Sequence, residues 1–241
     1  MATLKQTFKL YYRAWKYRRA DRSEIEWMLQ QLKPGDCALD VGAHKGAYTY
    51  WMLKAVGPQG RVVAFEPQPA GTVLLRALFG RNVTVEQLGL SDRNGQHFFY
   101  IQPQKGKVSY EASLADKYSD SEEQVIETST LDHYCAQHHL KPSLIKIDVE
   151  GHELEVLQGG ARTLAEHRPR LLIEIEERHI GAERMEAIFA LLRDSGYTGH
   201  FFSEGRRLPL SEFRAAVHQA PDQLAGTPGK YINNFIFEPS V

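Results

Sequence analysis

The sequence predicts a single α/β domain built on one doubly wound, mostly parallel β-sheet. Short apolar segments rich in β-branched residues alternate with helical patterns along most of the chain, as in folds that carry helices on both faces of a sheet. A turn with two glycines, Gly42 and Gly46, joins the first apolar segment to an apolar helical pattern. In an open α/β sheet such a turn marks the crevice where a nucleotide-like ligand binds.

The first 33 residues are predicted to form an N-terminal helical extension that packs on the domain formed by residues 34–241. Residues 1–22 carry seven basic side chains and one acid, Asp21. Large apolar side chains lie between the charges at helical spacing, which indicates a basic amphipathic helix. They form an aromatic stripe that consists of Leu4, Phe8, Tyr11, Tyr12 and Trp15.

We expect this first helix to pack its aromatic stripe on the domain and to leave its charges in solvent. The alternative is a weak peripheral contact of residues 1–22 with an anionic membrane surface or an acidic partner.

The remaining elements follow in order. A second helix near residues 22–32 ends before the turn pair Pro34-Gly35. Strands are predicted near residues 37–40, 61–65, 82–88, 96–101, 125–128, 144–147, 170–175, 198–203 and 233–237, and helices near 46–56, 69–79, 130–138, 153–166 and 183–193. The last two strands are expected to form an antiparallel edge, and residues 204–230 show no clear pattern.

The composition fits one globular domain of 241 residues, with 42% hydrophobic and 24% charged residues. The formal net charge of -1 makes the whole chain a poor electrostatic match for nucleic acid. Cys37 and Cys135 lie far apart in the sequence, so we expect no disulfide framework and a reducing, cytoplasmic location. No apolar run approaches the roughly 20 residues that span a bilayer.

The glycine turn favours a cationic ligand over a dinucleotide. A dinucleotide fingerprint has three glycines, with the pyrophosphate over the helix N-terminus. This chain has only Gly42 and Gly46, and the carboxylate of Asp40 ends the preceding strand. A carboxylate directed into the turn would repel a pyrophosphate, whereas S-adenosylmethionine carries an ammonium and a sulfonium.

Acidic and polar residues also end the next two strands. Glu66 follows the second strand, where an acid can accept hydrogen bonds from both hydroxyls of a ribose in either cofactor. Ser91 and Asp92 follow the third strand, where an adenine would reach. Each residue type is also typical of ordinary turns, but with Asp40 they share one edge of the predicted sheet.

Five segments resemble the FkbM family of class I S-adenosylmethionine-dependent methyltransferases. They are D-V-G-A-H-K-G-A-Y-T (residues 40–49), F-E-P (65–67), L-S-D (90–92), I-K-I-D-V-E-G-H-E (145–153) and N-N-F-I-F (233–237). The resemblance covers residues 37–237 and implies a Rossmann-like, seven-stranded sheet whose last strand is antiparallel. It usually implies O-methylation of a hydroxyl on a sugar, a lipid or a secondary metabolite. His44 departs from the family, which commonly has Asn there.

The resemblance implies an S-adenosyl-L-methionine site at the glycine turn and the following strand ends. Its residues would be Asp40, Gly42, Ala43, His44, Gly46, Thr49, Glu66, Pro67, Ser91, Asp92 and Asp148.

Methyl transfer to a hydroxyl requires alignment of the acceptor oxygen and removal of one proton. Asp148 is expected to be best placed for this role, because the residue that ends the fourth strand faces the reactive end of the cofactor in this fold. Glu150 and Glu153 are three residues apart, so they can share a helical face, and one is expected to orient the substrate or cap backbone amides. His152 is a further candidate base, although a histidine at a helix start is commonly a surface residue.

A divalent cation is an alternative that we do not favour. Related class I O-methyltransferases bind a cation through acids after strands four and five, and Asp148 with Glu174 or Glu176 would offer oxygen ligands that suit Mg²⁺. Solvated or salt-bridged acids explain Glu174, Glu176 and Glu177 more simply.

The acceptor, a small molecule or a glycan, is expected to lie under residues 102–124, a long polar segment between two strands. Hydroxyl and charge contacts would come from Lys105, Lys107, Tyr110, Ser113 and Tyr118.

Three functions are consistent with these patterns. The first is an S-adenosylmethionine-dependent O-methyltransferase. The second is a NAD-linked oxidoreductase, which Asp40 and the missing third glycine disfavour. The third is a non-catalytic cofactor-binding module held at a membrane by residues 1–22.

Overall fold

A computed structural model describes residues 2–101, 112–113, 122–223 and 231–240. The strands are β1 (Cys37–Val41), β2 (Arg61–Phe65), β3 (Thr84–Glu86), β4 (Gly89–Leu90), β5 (Gly95–Ile101), β6 (Ala112–Ser113), β7 (Glu122–Ser129), β8 (Leu144–Ile147), β9 (Arg170–Glu174), β10 (Tyr197–Ser203), β11 (Arg206–Pro209) and β12 (Asn234–Pro239). The α-helices are α1 (Leu4–Ala20), α2 (Arg22–Gln31), α3 (Ala47–Val56), α4 (Pro69–Phe79), α5 (Leu131–Gln137), α6 (Glu153–Gln158), α7 (Ala161–His167), α8 (Glu177–Asp194) and α9 (Ala215–His218).

The main sheet has the strand order β11-β10-β12-β9-β8-β1-β2-β3. Strands β1, β2, β3, β8 and β9 pair in parallel, which confirms the mostly parallel α/β fold. Strand β12 is antiparallel to both β9 and β10, as the family resemblance implied for the last strand. The prediction that the last two strands pair antiparallel with each other at this end of the sheet is confirmed, but neither is the outermost strand, and β12 lies between β9 and β10.

The edge is instead β11, an eighth strand that the sequence analysis did not predict. It returns from β10 through a tight turn, in which Glu204 and Gly205 both have left-handed φ values of 50° and 78°. Two residues of this kind are typical of the turns that match the twist of a β-hairpin. Strand β11 extends the seven-stranded arrangement without changing its order.

A second sheet has the order β4-β7-β5-β6. The predicted strand near residues 125–128 extends to Glu122–Ser129, because β7 pairs with the whole of β5. The strand predicted near residues 82–88 is shorter, since β3 spans Thr84–Glu86 in the main sheet. The next two residues after the predicted strand form β4 (Gly89–Leu90), which pairs with β7 in the second sheet. Lys105, Lys107, Tyr110 and Tyr118, which we expected to contact the acceptor, lie outside the described residues.

The two faces of the main sheet contact different core clusters. Side chains alternate along β1, so Leu39 and Val41 join one cluster and Ala38 joins the other. Asp40 shares the face of Ala38, and its neighbour across the sheet is Lys146 of β8. Both charged side chains are buried, so an ion pair lies inside the sheet near its carboxyl edge.

Helices α1 and α2 pack on the face that carries Ala38. Leu10 of α1 and Ile25 of α2 belong to the same buried cluster as Met52 of α3. The side chains of the aromatic stripe are more than half exposed, although the ring of Tyr11 contacts that of Tyr50 on α3 edge-on at 5.6 Å. The expectation that the stripe as a whole packs on the domain was therefore wrong. Leu10 and Ala14, on a different face of the helix, are the side chains buried against the domain.

Two further findings concern the cysteines and the helices. Cys37 and Cys135 are both free thiols. None of the helices in the described ranges combines the length and apolarity that crossing a bilayer requires.

Candidate active site

A cavity of about 260 Å³ lies at the carboxyl ends of the parallel strands. Its wall includes Gly42 after β1, Glu66 after β2, Asp148 after β8 and Glu174 at the end of β9. The carboxyl edge of a parallel sheet is where ligands of open α/β folds bind. A smaller cavity of about 180 Å³ shares Gly42, His44 and Asp148 with the larger one.

The loop after β1 is held close to two other strands. The amides of Gly42 and Ala43 donate to the carbonyl of Phe65 at 3.0 and 2.9 Å, which fixes the loop against β2. At Gly42 φ is 80°, and a Cβ there would lie 1.7 Å from the carbonyl oxygen of Asp148. Gly46, with φ of 78°, precedes α3. Glycine takes such φ values at little cost, so the backbone path requires both predicted glycines.

His44 occupies a left-handed backbone position with φ of 49°. Asn, Asp and His are enriched in this region, so the backbone accepts His where the family commonly has Asn. Its backbone amide hydrogen-bonds to Glu66, and burial lowers the pKa of its imidazole to about 3. The ring is therefore neutral at neutral pH where it lines the two cavities.

Asp40 is fully buried at the end of β1. One carboxylate oxygen accepts a hydrogen bond from Thr49 Oγ1 at 2.5 Å, and the other lies 3.9 Å from Lys146 Nζ. Burial raises the pKa of Asp40, and the nearby Lys146 partly offsets this. Asp40 contributes to the smaller cavity rather than the larger one. The charge that we expected to attract a cationic ligand therefore already faces an internal ammonium.

Lys146 is the main site residue that the sequence analysis missed. Its Nζ lies 2.8 Å from Asp148 Oδ2 and 5.0 Å from the ring centre of Tyr48. Burial alone would lower the pKa of Lys146, but the carboxylates of Asp148 and Asp40 outweigh burial and raise it. The ammonium therefore stays charged. The signal in the sequence was a lysine inside the apolar segment L-I-K-I.

Glu66 is buried at the end of β2 and lines the larger cavity together with Pro67. One of its oxygens accepts a hydrogen bond from the amide of Gln68 at 2.8 Å. Gly71 leaves room for the side chain, because a Cβ there would lie 2.6 Å from Glu66 Cγ. Burial raises the pKa of Glu66 to about 8. A vicinal diol in the cavity can donate hydrogen bonds to this carboxyl.

Ser91 and Asp92 directly follow residues 88–90, which form the cavity wall in this region, and their predicted place near the adenine stays a prediction. Ser91 is buried, and its Oγ lies 2.9 Å from His152 Nε2 and 3.0 Å from Asp92 Oδ1. The other ring nitrogen of His152 lies 3.4 Å from Glu155 Oε2. Burial lowers the pKa of His152. His152 thus contacts Ser91 and Glu155, and neither of these residues belongs to the described lining of the larger cavity.

Glu153 supports the loop that follows β8. Its Oε1 accepts hydrogen bonds from the amides of Gly151 at 2.9 Å and Val149 at 3.3 Å. This is the backbone-capping role that we expected for either Glu150 or Glu153.

Asp148 and Glu150 reach the larger cavity from the same loop. The amide of Asp148 donates to the carbonyl of Val41 at 3.0 Å, which keeps the ends of β8 and β1 together. Glu150 has φ of 54°, a conformation that is costly for a side chain of this kind and is concentrated at functional sites. Its Oε2 lies 3.4 Å from His179 Nδ1.

The wall opposite Glu66 includes Glu174 and two asparagines, Asn233 and Asn234. The side-chain amide of Asn233 donates to Glu174 Oε1 at 2.8 Å. Burial, followed by repulsion from Asp148, raises the pKa of Glu174 well above its usual range. Burial and the neighbouring carboxylates thus favour the protonated form of Glu174. The N-N pair was visible in the sequence, but its place in the site depends on β12 lying beside β9.

The N-terminal extension also contributes to the wall, through Tyr17 and Asp21. The hydroxyl of Tyr48 donates to Asp21 Oδ2 at 2.8 Å. Burial raises the pKa of Asp21 to about 6. The extension is therefore part of the site and not only a support for the domain.

Glu176 does not face the cavity. Its carboxylate accepts hydrogen bonds from Arg178 at 2.6 and 3.0 Å and from the hydroxyl of Tyr231 at 2.6 Å. Among the described residues, no group of three or more His, Cys, Asp and Glu side chains is arranged to hold a metal ion.

The fold and the cavity place the chain in the class of open α/β proteins that have a cavity at the carboxyl edge of a parallel sheet. Within that class, the family described as Methyltransferase FkbM domain matches residues 40–198, more than half of the chain. The chain belongs to this family.

Two relatives are similar to part of the chain. The hexuronic acid methyltransferase AglP of Haloferax volcanii is 30% identical over 159 residues, which cover 62% of this chain and 61% of that protein. The 2-O-methyltransferase NoeI of Sinorhizobium fredii is 27% identical over 152 residues, which cover 56% of this chain and 62% of that protein. The chain thus spans about three fifths of the length of these two relatives.

Solved structures share the fold. A methyltransferase FkbM from Methylobacillus flagellatus has a TM-score of 0.53 at 16% identity, covering 98% of this chain and 56% of that chain. An O-methyltransferase from Bacillus cereus, in complex with SAH, has a TM-score of 0.51 at 12% identity, covering 98% of this chain and 91% of that chain. At these identities the likeness concerns the fold alone.

Proposed function

We propose that this protein transfers a methyl group from S-adenosyl-L-methionine to a hydroxyl oxygen of a sugar or another small polar acceptor. The observation that carries the proposal is one cavity with a buried acid after β2, Glu66, and a second acid after β8, Asp148. Family membership supports methyl transfer. The hexuronic acid methyltransferase and the 2-O-methyltransferase among its relatives support a sugar hydroxyl as the acceptor.

The residues present fit this cofactor, which supplies a methyl group activated by a sulfonium. Glu66 would accept hydrogen bonds from its two ribose hydroxyls. The smaller cavity is lined by Arg13, Lys16 and Lys45, whose charges suit a carboxylate such as that of an amino acid. Asp148 lies between the two cavities, since it belongs to both walls.

Asp148 is the general base in this proposal. Lys146 holds its Oδ2 at 2.8 Å, and the side chain of Asp148 remains 26% exposed. A carboxylate in this position can accept the proton of an acceptor hydroxyl. Burial raises the pKa of Glu174 and so favours its protonated form, and Asn233 donates a hydrogen bond to one of its oxygens. In the protonated form Glu174 would donate a hydrogen bond to another oxygen of the acceptor and so orient it.

Cofactor affinity is expected to rise with pH up to about 8. In the free protein, Glu66 is protonated below its pKa of about 8. The ribose hydroxyls of the cofactor donate hydrogen bonds to the ionised carboxylate, so Glu66 must lose its proton when the cofactor binds. Below this pKa, the free energy of binding therefore includes the cost of deprotonating Glu66. We expect the Kd of S-adenosylhomocysteine to rise by up to about tenfold for each pH unit from 8 to 6. Calorimetry in buffers of different ionisation enthalpy would show proton release near pH 7.

The matched variants are Glu66→Gln and, as control, Glu127→Gln on the exposed side of β7. Glu66→Gln keeps the size of the side chain but loses the charged acceptor, so Kd should rise about 10- to 100-fold and lose its pH dependence. The control variant should keep the wild-type Kd and the wild-type dependence of Kd on pH. A wild-type affinity that does not change with pH would contradict the assignment.

Methyl transfer itself is tested with labelled S-adenosyl-L-methionine and a panel of glycans, lipids and small phenols. Label on a sugar hydroxyl is the expected result. Calorimetry with S-adenosylhomocysteine and with NAD tests the cofactor, and binding of NAD alone would overturn the proposal.

A further inference from the structure

Helix α1 has apolar side chains on two different faces, and one face is packed on the domain. Leu10 and Ala14, which are 4% and 1% exposed, fill the packed side. The aromatic stripe lies on the other side, and its five residues are between 52% and 89% exposed. A contiguous apolar surface of this kind marks an interaction site, whereas single exposed apolar residues do not.

Basic side chains border the aromatic stripe. Residues 2–20 contain six basic and no acidic residues, although the whole chain has a net charge of -1. At about 100° per residue, Lys5 and Lys16 fall along one border of the stripe and Arg18 along the other. The guanidinium of Arg19 lies 5.1 Å from the ring centre of Trp15. The helix therefore presents aromatic rings inside a positively charged rim.

We propose that α1 docks this protein on the surface of a bilayer that contains anionic phospholipid. The aromatic stripe would enter the headgroup region, and the bordering lysines and arginines would contact lipid phosphates. Trp and Tyr favour this depth because one end of each ring system is apolar and the other is polar. The positive rim selects an anionic surface, and the exposed apolar rings select a bilayer over a purely polar polyanion.

The docking surface belongs to the same helix as part of the cavity wall. Tyr17 lines both cavities, and Lys16 lines the smaller one. The indole nitrogen of Trp51 donates to the carbonyl of Ala14 at 3.0 Å, which ties α1 to α3. A docked protein would thus hold its cavities close to the bilayer. The docking step does not rest on the proposed methyl transfer, because it needs neither cofactor nor acceptor.

Flotation of the full chain with large unilamellar vesicles tests the proposal. Vesicles of phosphatidylcholine alone are compared with vesicles that also contain phosphatidylglycerol. We expect binding to the anionic vesicles only, weakened at high salt because exposed charges are screened. Brominated acyl chains should quench Trp15 fluorescence, and Trp15→Phe should remove most of that quenching, since Trp27 is buried in the core and Trp51 is partly buried beneath α1, where its indole nitrogen donates to Ala14.

Two matched variants separate the stripe from general surface hydrophobicity. Phe8→Ser should lower binding to the anionic vesicles by about tenfold. Phe98→Ser, an equal change at an exposed phenylalanine of β5, should leave binding unchanged. The double variant Lys5→Glu with Lys9→Glu should lower binding to the anionic vesicles by at least about tenfold. All substituted side chains are exposed, and circular dichroism checks that the variants fold.

Four results would overturn the proposal. They are absence of vesicle binding, equal binding to neutral and anionic vesicles, equal effects of Phe8→Ser and Phe98→Ser, and a dimer in solution that Phe8→Ser dissociates. The last result would assign the aromatic stripe to a contact between two copies of the chain.

Discussion

The Asp148→Asn variant is expected to lower kcat by about 10²–10⁴-fold, the usual contribution of a general base. The amide keeps the size of the side chain, and its oxygen can still accept the hydrogen bond from Lys146 Nζ. It cannot accept the proton of an acceptor hydroxyl. Single-turnover transfer of a labelled methyl group would measure the loss, and calorimetry with S-adenosylhomocysteine would show a far smaller change in Kd.

The control for this variant is Asp194→Asn at the exposed end of α8, which should keep the wild-type kcat. Raising the pH should not restore the Asp148→Asn variant, because the amide does not ionise. If the variant retained a kcat close to that of the wild type, Asp148 would not be the base. If kcat and cofactor affinity fell together, the residue would act in cofactor binding instead.

The Gly42→Ala variant is expected to lose at least about 3 kcal/mol of stability. A left-handed φ costs a side-chain-bearing residue roughly 1–2 kcal/mol. The new Cβ would in addition overlap the carbonyl oxygen of Asp148, which lies 1.7 Å from its ideal position. The backbone of the loop after β1 or of β8 must therefore move. Urea unfolding would measure the loss as a lower midpoint at unchanged slope.

Gly35→Ala is the matched control, because Gly35 also has a positive φ, of 93°, but no atom lies within 4 Å of its ideal Cβ. It should show the cost of the backbone conformation alone. The difference between the two variants then measures the close approach of the glycine loop to Asp148. Equal losses of stability in Gly42→Ala and Gly35→Ala would mean that the loop after β1 moves away from Asp148 without further cost.

The elements that the sequence predicted best are those with strong local signals. Strand β2 and helix α4 begin and end at the predicted residues, because a β-branched run ends at Glu-Pro and Pro69 stands at the start of the helix. The position of β12 between β9 and β10 has no such local signal. It depends on contacts between residues that are far apart in the chain, as does the pairing of β4 with β7.

The residues of the candidate site also differ in how far their positions can be predicted from the sequence. Glu66 and Asp148 end predicted strands, so their arrival at one edge of the sheet follows from the parallel order alone. The contact between Asp40 and Lys146 depends on the register of β1 and β8, which spacing in the sequence does not specify. The contact of Ser91 with His152 likewise joins residues that are far apart in the chain.

The central position of β12 bears on when the protein becomes functional during its synthesis. This strand separates β9 from β10 by pairing with both, and its neighbour Asn233 and first residue Asn234 line the cavity. A nascent chain that has not yet released residues 234–239 from the ribosome leaves β9 and β10 without their shared partner and the cavity without part of its wall. Translation products that lack β12 should therefore be inert and open to proteolysis.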